Sequence, residues 1–384
     1  MEAYFDNSAT TRCSMGAKDI MVRALVEDYG NPSSLHGKGM QGENYIRDAR
    51  AKICKTLKAK ESELIFTSGG TESNNLAILG GAIANRRSGN HLITTRIEHP
   101  AVSVPMKYLE EQGFEVTYLN VDKDGCISLE ELRDAVTEET ILVSIMYVNN
   151  EIGAVEPVQE AAKIIKQKNS GTLFHVDAIQ AYGKYIIHPG KLGIDMMSVS
   201  GHKIHGPKGS GFLYVREKTK LKPLIYGGGQ QKNMRSGTEN VPGIAGLGQA
   251  AQEAYEDFAE KQAYLYRLKD AFIQGLKGQE WAHINGRTGA DSAPHIVSLS
   301  VDGVRSEVLL HALEDRHIYV SAGSACASNK PAVSATLAAI GVRREYLDST
   351  VRISFCAQNT LEEVEYCIAN LKELVPMLGK YTRR

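Results

Sequence analysis

No C-x-x-C pair occurs anywhere in the chain, although it holds six cysteines: Cys13, Cys54, Cys126, Cys326, Cys356 and Cys367. Scattered this widely, they give neither a zinc spacing nor a disulfide framework, and they fit a reducing cytoplasm. An excess of charge of either sign is also missing, since 44 Lys and Arg stand against 45 Asp and Glu for a net charge of −1. No general field would draw such a chain to nucleic acid or to anionic lipid, so a small substrate is expected. No apolar run approaches the roughly 20 residues of a membrane span. The opening Met1 to Asp6 is neither basic nor apolar enough for a signal peptide. There is no internal repeat and no low-complexity segment. The expectation is a soluble cytoplasmic protein without a metal site, and 384 residues are enough for two domains.

What the chain does have is a long alternation of strand and helix. Apolar runs predict strands ending near Thr67, over 91–95, 114–119, 141–148, 173–176, 193–200 and 211–215. Helical patterns fall over 18–29, 42–57, 100–112, 129–135 and 158–167. This order implies an α/β fold built on a mostly parallel sheet covered on both faces. One long helix is expected from Ile244 to about Leu276. Beyond it the pattern changes to a smaller α+β unit, with strands over 295–301, 318–320 and 351–355 and helices over 307–314, 331–340 and 360–374. The expected division is a large domain over 14–258 and a small one over 1–13 plus 259–384.

In the stretch Ser198 to Gly211, a glycine-rich run that links two predicted strands, Lys203 is caught between His202 and His205. Partial burial lowers the pKa of an ammonium until the amine attacks a carbonyl, which makes Lys203 a candidate Schiff-base lysine. Taken alone, the stretch reads equally well as a hairpin with a solvated lysine. Four other polar residues, Thr71, His99, Asn150 and Asp177, also follow predicted strands, and in a parallel sheet those ends share one edge. Gly69-Gly70-Thr71 opens a helix whose first N–H groups suit a phosphate, although Ser and Thr open many helices that bind nothing. Cys326 lies in Ser321-Ala322-Gly323-Ser324-Ala325-Cys326-Ala327-Ser328, among residues too small to pack it, and this is the pattern of a reactive thiol.

Together, Gly70-Thr71, His99 after Glu98, Asp177 with Gln180, and Ser200-Gly201-His202-Lys203 resemble the site of fold-type-I pyridoxal-phosphate enzymes of the class V aminotransferase superfamily. The stretches Asn31-Pro32-Ser33-Ser34-Leu35-His36, Arg235-Ser236-Gly237-Thr238-Glu239-Asn240 and Gly323-Ser324-Ala325-Cys326 narrow the resemblance to cysteine desulfurases of the IscS/NifS type. The resemblance implies that Lys203 carries pyridoxal 5′-phosphate, Asp177 pairs with its ring nitrogen, Gln180 donates to its phenolic oxygen and His99 stacks on the ring and assists proton transfer. Thr71, Ser200 and His202 would hold the phosphate, with Gly70 and Asn150 among the cofactor contacts. Thr238 would reach in from a second subunit of a homodimer with composite sites. Arg352 and Asn150, with Asn31, would bind the substrate L-cysteine, and Cys326 would take its sulfur as a persulfide. An iron–sulfur scaffold or a tRNA-thiolation protein would then accept it. Two departures bear on that acceptor: Asn329-Lys330-Pro331-Ala332 replaces the usual Leu-Glu-Pro-Ser, and the chain stops soon after its last helix. The alternatives on the same scaffold are a selenocysteine lyase or another class V enzyme, and outside it a non-catalytic sulfur-relay protein.

Overall fold

The computed structural model describes residues 1–322 and 334–380. Its strands are β1 (Ala3–Tyr4), β2 (Leu64–Thr67), β3 (His91–Thr95), β4 (Glu115–Leu119), β5 (Thr140–Met146), β6 (Leu173–Asp177), β7 (Met196–Ser200), β8 (Gly211–Val215), β9 (Ala282–Asn285), β10 (Ile296–Val301), β11 (Ile318–Tyr319), β12 (Ser321–Ala322) and β13 (Thr350–Ser354). Seven of them form one sheet in the order β2-β8-β7-β6-β5-β3-β4. Strands β3 to β7 pair in parallel, and β8 alone runs antiparallel to both its neighbours. The predicted mostly parallel sheet is what the structure contains.

Every residue of β5, β6 and β7 is buried, which explains why these strands read as near-continuous apolar runs. Their side chains alternate between two cores. Val143, Ile145, Phe174, Val176, Met197 and Val199 face one core with the helices Met15–Val26, Gly37–Leu57, Val158–Lys168 and Val241–Tyr255. Leu142, Leu173 and Met196 face the other, with Leu76, Ile78, Val102 and Met106. Polar residues buried within the sheet are braced sideways: His175 Nδ1 lies 2.8 Å from Ser144 Oγ on β5, and Nε2 lies 2.9 Å from Ser198 Oγ on β7.

A second sheet, β12-β13-β10-β9, is antiparallel and packs with the helices Phe258–Gly275, Ser306–Glu314 and Leu361–Gly379 around a core of its own. Ala3 and Phe5 belong to that core, because β1 pairs in parallel with β11 far along the chain.

The expected helix from Ile244 to Leu276 is two helices, Val241–Tyr255 and Phe258–Gly275. Glu256 is extended and Asp257 takes a left-handed conformation at φ 49°, so the backbone turns where the apolar pattern runs on unbroken. The rings of Tyr255 and Phe258 stack across the break at 5.4 Å, and Tyr255 OH donates to Tyr185 O at 3.0 Å. Strand β9 and the π-helical turn Leu76–Gly80 were not expected.

Two predictions follow from this packing. A Cβ at Gly248 would lie 2.5 Å from both Cα and Cβ of Ala49 on the neighbouring helix, a separation that real side chains do not reach. Gly248→Val is expected to lower the unfolding free energy by about 1–3 kcal/mol, read as a lower urea midpoint with little change in slope. Burial lowers the His175 pKa from 6.5 to about 3. Below pH 6.5 the unfolded chain therefore binds a proton that the folded chain refuses, and stability falls as pH drops toward 3. Its contribution is at most about 1.4 kcal/mol per pH unit. Thermal melts of His175→Gln, less stable at neutral pH, should show a shallower acid decline than the parent by about that slope.

Candidate active site

Three segments converge at the C-terminal edge of the central strands. Strand β7 ends in the short turn Gly201–Lys203, which delivers Lys203 beside β6 and its terminal Asp177. The N-terminal segment crosses this edge and is tied to the lysine loop: Thr11 N and Thr11 Oγ1 both donate to His202 O at 2.9 Å, and His205 N donates to Thr11 Oγ1 at 2.7 Å. Lys203 Nζ in turn donates to Ser8 O at 2.5 Å and Ala9 O at 2.6 Å. Two main-chain carbonyls thus fix where the amine sits.

A cavity of about 270 Å³ opens above it, lined by Gly70, Thr71, His99, Asn150, Asp177, Gln180, Ser200, His202, Lys203 and Arg352 together with Ser8 and Ala9. All five polar residues singled out at predicted strand ends, Thr71, His99, Asn150, Asp177 and Lys203, are among these. A neighbouring hollow shares Ala9, Gly70, Thr71, Ser200 and His202 and adds Lys208, so these five line the passage between the two.

Asp177 forms the floor, with its side chain 4 % exposed. Its carboxylate accepts from Asn74 Nδ2 at 2.7 Å and from Ile179 N at 3.0 Å. Burial raises its pKa, while those two donors and the nearby His99 and Lys203 act in the opposite direction. A cation placed against it from the cavity would be held strongly.

His99 caps the helix Pro100–Glu111, and its Nδ1 accepts from Ala101 N at 3.1 Å. Burial lowers its pKa, with Asp177 opposing and Lys203 and Arg352 adding to the effect. A neutral imidazole that accepts at Nδ1 carries its proton on Nε2. His202 is likewise lowered, to about 4, by burial first and then by Lys203 and Lys208. Its Nδ1 lies 3.2 Å from Thr10 Oγ1.

The sheet edge beside Thr71 is built for close approach. Gly69, at φ +151°, precedes the helix Gly70–Asn75, and a Cβ on Gly70 would lie 2.1 Å from Ile179 Cδ1. Gly70 therefore packs directly against Ile179, and a side chain there would push Ile179 aside. Arg352, 3 % exposed on β13, spans from the second sheet to the first: its Nη1 donates to Asn150 O at 2.8 Å and its Nη2 pairs with Asp6 Oδ1 at 2.9 Å. Arg352 Nε is buried without a hydrogen-bond partner. Gln180 Nε2 donates to Ser8 O at 3.0 Å, with His295 Nε2 behind it 3.3 Å from Gln180 Oε1.

Two expected residues do not line this cavity. Asn31 is exposed, its Oδ1 accepting from Ser33 N at 2.9 Å, and Thr238 lines a separate hollow with Gln231, Arg235 and Asn240. Cys326 lies outside the described residues. Sequence reasoning passed over Ser8 and Ala9, which act through carbonyls and carry no side-chain signal. It also missed Asn74, one turn beyond Thr71 on the same helix, and Asp6, two residues beyond β1. Among the described residues no group of three or more His, Cys, Asp or Glu is placed to hold a metal ion.

The comparisons with known proteins agree with this arrangement. Residues 3–367 match the family described as aminotransferase class-V. The chain is 44% identical to "Cysteine desulfurase IscS" of Methanosarcina thermophila, over 98% of this chain and 92% of that one. It is 41% identical to "Putative cysteine desulfurase IscS 1" of Bacillus subtilis, over 98% and 99%. A solved structure described as "NIFS-LIKE PROTEIN" superposes with a TM-score of 0.93 at 41% identity, covering 98% of this chain and all (100%) of that one. With 365 of its residues spanned by one family and near-complete coverage by such relatives, the chain belongs to the class-V aminotransferase family, on the fold-type-I scaffold of pyridoxal-phosphate enzymes.

Proposed function

We propose that this protein is a pyridoxal-phosphate-dependent cysteine desulfurase, which converts L-cysteine to L-alanine and places the sulfur on Cys326 as a persulfide. The observation that carries this reading is the single cavity shared by Asp177, Lys203, His99 and Arg352. Its residues fit the cofactor. Asp177 offers a buried carboxylate that accepts from the Asn74 amide and the Ile179 N–H, Gly70 and Ile179 line the cavity beside it, and Thr71, Ser200 and His202 surround the passage where a phosphate would lie. Pyridoxal phosphate supplies an electron sink for a carbanion at the substrate α-carbon.

The chain's own groups divide the remaining work. Lys203 would hold the cofactor through Nζ and would move the proton at the substrate α-carbon. Asp177 would face the ring nitrogen and hold its proton. Arg352 and Asn150 orient the carboxylate, a task suited to a guanidinium with two parallel donors. The Cys326 thiolate attacks the substrate sulfur, so an S–S bond forms as the Cβ–S bond breaks. The electron pair stays on carbon, which takes a proton and leaves as alanine.

The same reading divides the chain into domains over 14–258 and over 1–13 plus 259–384. The two separate hydrophobic cores and the turn at Asp257 support that division. It also makes the protein a cytoplasmic homodimer, with Thr238 and Asn31 completing the partner's site. Support comes from the helices Met15–Val26 and Gly37–Leu57 with their connecting loop, where Val22, Leu25, Val26, Tyr29, Leu35 and Met40 are all exposed. The acceptor of the sulfur would be a partner protein such as an iron–sulfur scaffold or a tRNA-thiolation protein.

A single turnover of the purified holoenzyme with L-cysteine and no reductant tests the proposal. One added sulfur mapped to Cys326 with an equal amount of alanine is the expected result, and alanine without persulfide, or a keto acid, would remove Cys326 from the mechanism. Arg352→Ala removes charge-assisted hydrogen bonds worth about 1.5–3 kcal/mol each, so KM for L-cysteine should rise by about 10- to 100-fold with a smaller change in kcat.

A further inference from the structure

Both ends of the segment that carries Cys326 are described: the outgoing end pairs with Arg352, and the returning end is fastened to Asn149 and Glu151, the two residues that flank Asn150. The outgoing end is β12, where Ser321 is the direct pairing partner of Arg352 and Ala322 that of Val351. The returning end is Ser334, eight residues beyond Cys326 in the chain. Its Oγ donates to Glu151 Oε2 at 2.5 Å and accepts from Leu337 N at 3.0 Å, which caps the short helix Ala335–Ala339. Glu151 directly follows Asn150, whose carbonyl receives Arg352 Nη1.

Asn149 makes this turn rigid. Its side chain is fully buried, and Oδ1 accepts from Glu151 N at 2.9 Å and from Ile152 N at 3.0 Å. Nδ2 reaches Ile97 O at 3.1 Å, two residues before His99, and Thr336 Oγ1 at 3.3 Å. Ile152 and Ala154 below the turn pack on Leu337 and Ile340 of the returning helix, a small apolar cluster separate from the larger cores. Burial raises the Glu151 pKa, and hydrogen bonds from Ser334 and Thr336 together with the charge of Arg352 oppose the rise.

We propose that Asn149 and Glu151 are positioning residues for sulfur transfer: by fastening Ser334 and Thr336 to the turn that presents Asn150, they fix where the chain returns from Cys326 relative to bound substrate. The inference rests on the assignment of Cys326 as the sulfur-accepting thiol. Its geometry lies wholly in residues on either side of that segment. Neither residue is asked to touch the reacting atoms, so their loss should slow thiol delivery while leaving the carboxylate site intact.

The test uses purified holoenzyme in four forms: Ser334→Ala, Ser334→Thr, Glu151→Ala and the near-isosteric Thr336→Val, which keeps the proposal testable if Glu151→Ala fails to fold. L-Cysteine affinity is read from the change in visible absorbance of the bound cofactor, and persulfide formation on Cys326 from intact mass in a single turnover. Expected is a fall in the persulfide rate of about tenfold or more for Ser334→Ala, Glu151→Ala and Thr336→Val. L-Cysteine affinity should stay within about twofold of the parent, and Ser334→Thr should retain the parent rate. Persulfide formation at the parent rate in Ser334→Ala and Thr336→Val, or a loss that lies wholly in weaker L-cysteine binding, would overturn the inference alone. Alanine without persulfide in the parent itself would overturn the functional reading and the inference with it.

Discussion

A carboxylate buried at the end of a central strand sets the terms for the rest of this structure. Asp177 is almost without solvent, and an isolated charge there would be costly. Asn74, the Ile179 N–H and the nearby Lys203 and His99 offset part of that cost, and a cation brought in from the cavity would offset more of it. That cost explains why the neighbouring groups are those that tolerate or complement it. Two histidines are pushed toward their neutral forms, and an amine is held on main-chain carbonyls.

The sheet makes such a carboxylate possible. Strand β6 lies between β5 and β7, each buried along its whole length, and its own end opens on the edge where the parallel strands all stop. Side chains at these ends meet because strands β3, β5, β6 and β7 run the same way, even though their loops are distant in sequence. Among the described residues past residue 300, the second sheet contributes Arg352 to the cavity, and the N-terminal segment connects the two parts. Asp6 binds Arg352 while Thr11, five residues on, is bonded to the lysine loop.

Much of this was legible in the sequence for a physical reason. Buried parallel strands are continuous apolar runs, so the positions of β2, β3, β5, β6 and β7 could be read to within a few residues, and Thr71, His99, Asn150, Asp177 and Lys203 at their ends marked the site. Lys203 stood out further because it lies among glycines, serines and histidines. The parts that could not be read act through backbone. Ser8 and Ala9 hold the lysine with carbonyls, and the break at Asp257 is a single left-handed residue inside an unbroken helical pattern. The π-turn at Leu76–Gly80 likewise leaves no mark on periodicity over so short a span. Asn149 was not singled out in the sequence, because its role depends on Ile97 and Thr336, two segments far from it in the chain.

The central claim is that the cavity above Asp177 holds pyridoxal phosphate on Lys203. Borohydride reduction of the purified protein followed by peptide mapping tests it directly, since reduction fixes the cofactor on whichever amine carries it. The account predicts one pyridoxyl group per chain, on the peptide containing Lys203, and its absence from that peptide in Lys203→Ala. A label on another lysine, or a chain that takes up the cofactor without any reducible linkage, would contradict it.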